Sequence, residues 1–237
     1  PYTTLFRSME LINMKCLVFK VRGDYARFRK SYTTTSALTY LLIHPVAVRG
    51  LIGAMLGIDR EKLYEKTKDI EVAIQVVNQV RKDMQSFNLV NMKANDKIFR
   101  FPSNVEFLRN VEYRIFIKAE DKTLYEIDNC IKQGEYIFTP YLGSSEHIAK
   151  IEYEGIYNCE KLNAGNYKVI SAVSLEENKI YFGDSDIILM TDNIPTRRDI
   201  DREYIEYKKV IFATNENTIN VGTENCYKVG GYNVIFI

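Results

Sequence analysis

A chain of 237 residues, 46% hydrophobic and 27% charged, is long enough to bury a real core as one large domain or two small ones. The formal net charge is +1, so a strongly basic stretch in one place implies a slightly acidic remainder. No apolar run reaches the roughly 18 residues of a membrane span, and no secretory signal is legible, so no membrane partner is expected. The four cysteines, Cys16, Cys130, Cys159 and Cys226, are scattered without a CxxC pair, and the only histidines are His44 and His147. That argues against zinc, redox and disulfide frameworks and leaves no cofactor or metal to expect. Reduced thiols fit a cytoplasmic protein.

The chain opens at Pro1. PYTTLFRS reads as an appended segment, Met9 or Met14 as a better start, and residues 1–13 as a non-native leader. From Cys16 to Val21 apolar residues alternate, which predicts a strand, and Gly23-Asp24 is expected to break it. YARFRKSYTTTSALTY then reads as an extended loop or ribbon. Pro45 opens a helix at its first turn, where a missing N–H costs nothing, and Gly57 is its expected stop. Gly50 and Gly53 inside that helix each cost about 1 kcal/mol relative to Ala, which suggests close packing or close approach of a ligand. A short surface helix is expected within 59–66. Strands are expected over 70–78, 84–92 and 110–119, with 93–104 as a hairpin tip. Leu124, Ile127 and Ile131 at helical spacing predict a helix over 123–134, ended by Gly134. Strand, helix, strand, strand, helix, strand is the ferredoxin-like order. Short strands at 149–157, 166–174, 179–190, 203–213 and 226–237 then read as a β-rich lobe.

The most informative stretch is Lys15 to Gly57. Between Lys15 and Arg49 seven basic residues face Asp24 alone, a local +6 interleaved with Tyr25, Phe28, Tyr32 and Tyr40. Cations hold phosphates and aromatic rings give bases a face to stack on, as single-stranded nucleic acid requires. Lys20, Arg22, Arg27, Arg29 and Lys30 are the candidate phosphate contacts, with Tyr25 as a stacking ring; Phe28 reads as core. Thr33, Thr34, Thr35 and Ser36 could bond phosphates or 2′-hydroxyls but read more simply as strand-forming hydroxyls. Arg49-Gly50 at the helix start could place a cation and free N–H groups at a phosphate. Tyr141, Gly143 and Ser144 lie in a tight turn where glycine lets the backbone approach RNA or a neighbour. His147 follows two residues after Ser145, a spacing too slight to argue nucleophilic catalysis. No P-loop or dinucleotide fingerprint is present.

GDYARFRKSYTTTSALTY followed by HPVAVRGLIGAMLG strongly resembles the fifth family of CRISPR-associated proteins, in the RAMP superfamily, and most its type I-B branch. TPYLGSSEHIAKIEY (139–153) adds a shorter match. The resemblance implies an α+β protein: a ferredoxin-like (RRM/RAMP) domain over 14–140 with a β-hairpin thumb near 84–110, and a β-rich C-terminal lobe over 141–237. It implies a Cascade subunit in antiviral defence that caps the 5′ handle of the CRISPR RNA and contacts the backbone and large subunits. Target DNA is then met indirectly, because guide pairing reads its sequence. One branch of the family is a metal-independent endoribonuclease, with a Tyr on the first helix and a Lys-His pair on a central strand. Here Leu56 and Lys118 stand at those places, and no His follows Lys118. A non-catalytic role is therefore expected; Tyr40, His44 and Lys118 are the alternative candidates for catalysis.

Overall fold

The computed structural model describes residues 14–33, 37–90, 100–183 and 187–237. The expected leader 1–13, Thr34, Thr35, Ser36 and most of the expected hairpin tip lie outside them. The elements run β1 (Lys15–Ala26), α1 (Pro45–Leu56), α2 (Leu63–Thr67), β2 (Glu71–Val76), β3 (Lys82–Val90), β4 (Arg100–Lys118), α3 (Asp121–Gln133) and β5 (Lys150–Lys161). There follow β6 (Gly165–Val169), β7 (Val173–Ser174), β8 (Lys179–Tyr181), β9 (Leu189–Arg198), β10 (Tyr204–Ala213), β11 (Ile219–Thr223), β12 (Tyr227–Val229) and β13 (Tyr232–Val234). The protein is α+β with most of its ordered backbone in strands.

The main sheet has the order β13-β12-β5-β1-β4-β2, with β3 attached to β4 off this path. β1 lies between β4 and β5, antiparallel to both. This double pairing carries β1 through Gly23-Asp24, where the sequence predicts a break: Gly23 and Tyr25 stay in register with Val111 and Arg109. Ladder hydrogen bonds outweigh a local turn preference when a neighbouring strand supplies them. β5 and the β12–β13 hairpin join this sheet from residues expected in the C-terminal lobe.

Alternation along β1 and β4 gives the sheet two different faces. Leu17, Phe19, Val21, Ile115 and Ile117 pack with Val48, Leu51, Ile52 and Met55 of α1 and Leu124, Ile127 and Ile131 of α3. Both helices therefore lie on one face. Each such side chain contributes about 1.5–3 kcal/mol by leaving water. On the other face Cys16, Val18, Ala73 and Phe116 pack against Val229 and Val234. Further along, that face turns polar at Lys20, Arg22, Glu112 and Arg114. The remaining strands form two small sheets, β7-β10-β9 and β6-β11-β8, around Val173, Ile211, Val221 and Ile235.

α1 follows its sequence signals closely. Pro45 occupies its first turn, and the His44 ring nitrogen Nδ1 accepts from the Ala47 N–H at 3.2 Å as the N-cap. Gly57 ends it at φ 65°, a left-handed C-cap. Of the two internal glycines, Gly53 is packed, since a Cβ there would meet the Leu63 side chain, whereas Gly50 has open space.

Candidate nucleic-acid interface

Against the outer side of α1 lies a groove of about 820 Å3. Its floor is Ala47, Gly50 and Ala54. One wall is the segment after β1, with Arg27 and Arg29, and the turn carrying Tyr141 and Gly143. A second wall is Arg60, ahead of α2, with Arg198 and Arg202 from the end of β9 and the β9–β10 turn. Phe138, Tyr141 and Tyr204 put aromatic rings on it, the first two 53% and 46% exposed. Among the described residues that line it, Asp59 is the one carboxylate, facing five guanidinium groups.

Two of these cations each lie against a neighbouring like charge. Burial and then the charge of Arg29 lower the pKa of Arg27, and its buried Nε has no hydrogen-bond partner among the described residues. Burial, and Arg60 beside it, lower that of Arg198 in the same way. An anion entering the groove relieves that repulsion. Guanidinium groups hold phosphate through paired N–H donors, and exposed rings offer stacking surfaces. The turn is pinned to its wall by local geometry. The Arg27 N–H donates to the Leu142 carbonyl at 3.0 Å, and the Leu142 N–H to the His147 carbonyl at 2.7 Å. Gly143 sits at φ 88°, and a Cβ there would overlap the Arg27 carbonyl oxygen. Only glycine fits that contact, which holds Tyr141 beside the arginines.

The groove thus gathers Arg27, Arg29, Gly50, Tyr141 and Gly143 of the sequence candidates for RNA, and the buried His44 reaches its lining. Others are engaged elsewhere. Lys20 lies on the far face of the sheet, near Glu112 and Glu154 at 3.4 and 3.8 Å. Arg22 is exposed on that same face. Tyr25 packs between Phe107 and His147, with ring centroids 6.2 and 6.1 Å away. Lys30 reaches Asp192 at 2.8 Å, its side chain 16% exposed; burial lowers its pKa, and the Asp192 hydrogen bond and charge more than offset that. Arg49 turns inward, donating to the Ile70 carbonyl through Nε and Nη2 and to the Thr196 carbonyl through Nη1 at 2.7 Å. It clamps α1 to the start of β2 and to β9. Ser144 is half-buried in the turn, where its carbonyl accepts from the His147 N–H at 3.0 Å. Phe28 is core, as its sequence context suggests.

Tyr40, His44 and Lys118 do not form one site. Tyr40 and His44 touch, ring centroids 5.3 Å apart, but both are buried, and burial drives the His44 pKa down to about 3. Lys118 ends β4, where it pairs with Glu71 at 2.8 Å and lies over Tyr227 and Phe236. Leu56 packs against the main core. Among the described residues there is no group of three or more His, Cys, Asp or Glu side chains placed to hold a metal ion. No helix among them is long and apolar enough to cross a membrane.

Sequence reasoning missed Arg60, Arg198 and Arg202. The charge-rich run TRRDIDRE (196–203) was the available signal, but nothing local ties it to Arg27, more than 160 positions earlier. The β9–β10 pairing and its contact with α1 bring it there.

Among solved structures the chain is similar to a CRISPR protein from Archaeoglobus fulgidus, at 12% identity over 94% of this chain and 99% of that one, with a TM-score of 0.58. That likeness is one of fold. A chain of a CRISPR RNA-guided surveillance complex matches at 8% identity over 93% and 91%, TM-score 0.48. A chain of a Type III-B Cmr-beta complex bound to cognate target RNA matches at 11% identity over 87% and 86%, TM-score 0.46. A search of curated proteins gave no significant match. The family model described as CRISPR-associated protein (Cas_Cas5) matches residues 16–209, most of the chain. The chain belongs to the CRISPR-associated Cas5 family.

Proposed function

We propose that this protein is a non-catalytic, RNA-binding subunit of a type I CRISPR effector complex, holding single-stranded CRISPR RNA in the arginine groove and capping its 5′ handle. The observation that carries this reading is the groove itself: five arginines around one open cavity, with one lining carboxylate and exposed rings at its lip. Family membership supplies the nucleic acid. The partners are the CRISPR RNA and the backbone and large subunits, with target DNA met through the complex, in the cytoplasm. The helices α1 and α3 on one face of the strand order β5-β1-β4-β2 support a ferredoxin-like unit that runs through β5. The β3 ladder, paired to the first half of β4 alone, supports a thumb leaving that unit.

The test is end-labelled CRISPR repeat RNA incubated with pure protein in EDTA, run on native and denaturing gels. A retarded, uncut RNA is expected, with retardation lost in Arg27→Ala/Arg29→Ala. A discrete cut would make the protein a repeat-processing endoribonuclease instead. Retardation unchanged in the variant would remove the groove from the binding surface.

A further inference from the structure

A second cavity, of about 420 Å3, lies apart from the arginine groove and is lined by Asn78, Gln79, Arg81, Asn110 and Asn215. Its volume falls in the roughly 300–1,000 Å3 range of small-ligand sites. Three separate stretches build it: the β2–β3 connection, the middle of β4, and the β10–β11 turn. The Asn78 amide donates to the Asn110 carbonyl at 3.1 Å, fixing two of its sides together. Asn110 and Asn215 take left-handed backbone angles, φ 49° and 57°.

The lining is all polar, and four of its five residues are amides. An amide side chain presents a donor and an acceptor side by side, the pattern displayed by the edge of adenine at N6 and N7. Among the described residues no carboxylate lines the cavity. Of the neighbouring acids, Glu216 pairs with Arg114 at 3.3 Å and Glu112 with Lys20 at 3.4 Å. Arg81 supplies a cation at the cavity. Arg22, which the groove does not use, is exposed on β1 opposite Glu112, two residues along β4 from Asn110. Among the described residues neither arginine forms an ion pair. A docked protein side chain would want an apolar anchor, which this lining lacks.

We propose that the amide-lined cavity receives an unstacked adenine base of bound single-stranded RNA, with Arg81 and Arg22 on the adjoining phosphates. This rests on the reading that the protein binds single-stranded RNA, and it adds a base-selective contact away from the groove, whose arginines and rings accept any sequence.

The experiment is fluorescence anisotropy of labelled oligoadenylate and oligouridylate of equal length, titrated with the full chain. Equal length equalises the phosphate contribution, so any preference comes from bases. Oligoadenylate is expected to bind about 10-fold more tightly, the scale of one good amide–adenine contact. The variant Gln79→Ala/Asn110→Gly/Asn215→Gly keeps the two left-handed positions accessible. It is expected to abolish the preference while leaving oligouridylate binding unchanged. Arg27→Ala/Arg29→Ala is expected to weaken both RNAs equally and keep the preference. Equal binding of both RNAs by the unaltered protein, or a preference that survives the cavity variant, would overturn the adenine site and leave the groove standing. No binding of either RNA would overturn both.

Discussion

Replacing Lys30 with Ala should destabilise the fold and leave RNA affinity alone, although Lys30 sits in the basic run from which phosphate contacts are expected. Its ammonium lies 2.8 Å from Asp192 Oδ1, and the Asp192 side chain is 6% exposed. The same carboxylate accepts from the Leu41 N–H at 2.7 Å and the Asn193 N–H at 2.9 Å, so it ties the segment after β1 to β9. Removing one partner of a buried pair costs about 3–5 kcal/mol, because the remaining charge stays buried. Asp192 keeps two backbone donors and Lys30 is partly solvated, so the lower end, about 3 kcal/mol, is expected. For a chain of this size that corresponds to a fall of about 6–12 °C in Tm. Urea denaturation should show a lower midpoint at unchanged slope, and anisotropy at low temperature should show unchanged RNA affinity. An unaltered midpoint together with a salt slope smaller by about 0.7, the loss of one phosphate contact, would refute this and place Lys30 on RNA.

Three further substitutions probe the groove and its supports. Burial holds His44 neutral, with a pKa near 3 against 6.5 for the free side chain. The unfolded chain therefore binds the extra proton first as pH falls below 6.5, and stability falls with it. The loss is about 2 kcal/mol between pH 6.5 and about 4.5, and His44→Asn, which keeps a capping side chain, should flatten that part of the pH–stability profile even if it lowers stability overall. Gly143→Ala should cost about 1–3 kcal/mol in thermal denaturation, from the left-handed backbone and the overlap with the Arg27 carbonyl, and should weaken RNA binding by lifting Tyr141 from the groove. Ser144→Ala next to it should change stability by less than about 0.5 kcal/mol.

Much of the fold was legible because local signals agreed with tertiary ones. Pro45 and Gly57 bound α1, Gly134 ends α3, and alternating apolar residues mark β1 and β2. Local reasoning failed where pairing decided: β1 passes through Gly23-Asp24, β4 runs from Arg100 as one long strand, and β11 carried no signal that was read. At the site, Arg27, Arg29, Gly50, Tyr141 and Gly143 were legible as cations, a ring and glycines in the right chemical company. Lys30 and Arg49 look the same in sequence but turn inward, because Asp192 and the Thr196 carbonyl lie on β9, more than 140 positions away. The second arginine wall was illegible for the same reason. Charge counts record how many cations a segment holds, and the partners that neutralise them come from the other end of the chain.

The central claim is that five arginines in one groove hold RNA phosphates, and the salt dependence of binding tests it most directly. At about 0.7 per phosphate on a single strand, five contacts give a slope of log affinity against log salt near −3.5, roughly a 100-fold loss between about 50 and 200 mM salt. The variant Arg60→Ala/Arg198→Ala/Arg202→Ala removes the wall that sequence reasoning missed and should bring the slope to about −1.4. A variant slope equal to that of the unaltered protein would mean that these arginines do not face RNA, and would contradict the groove as its binding site.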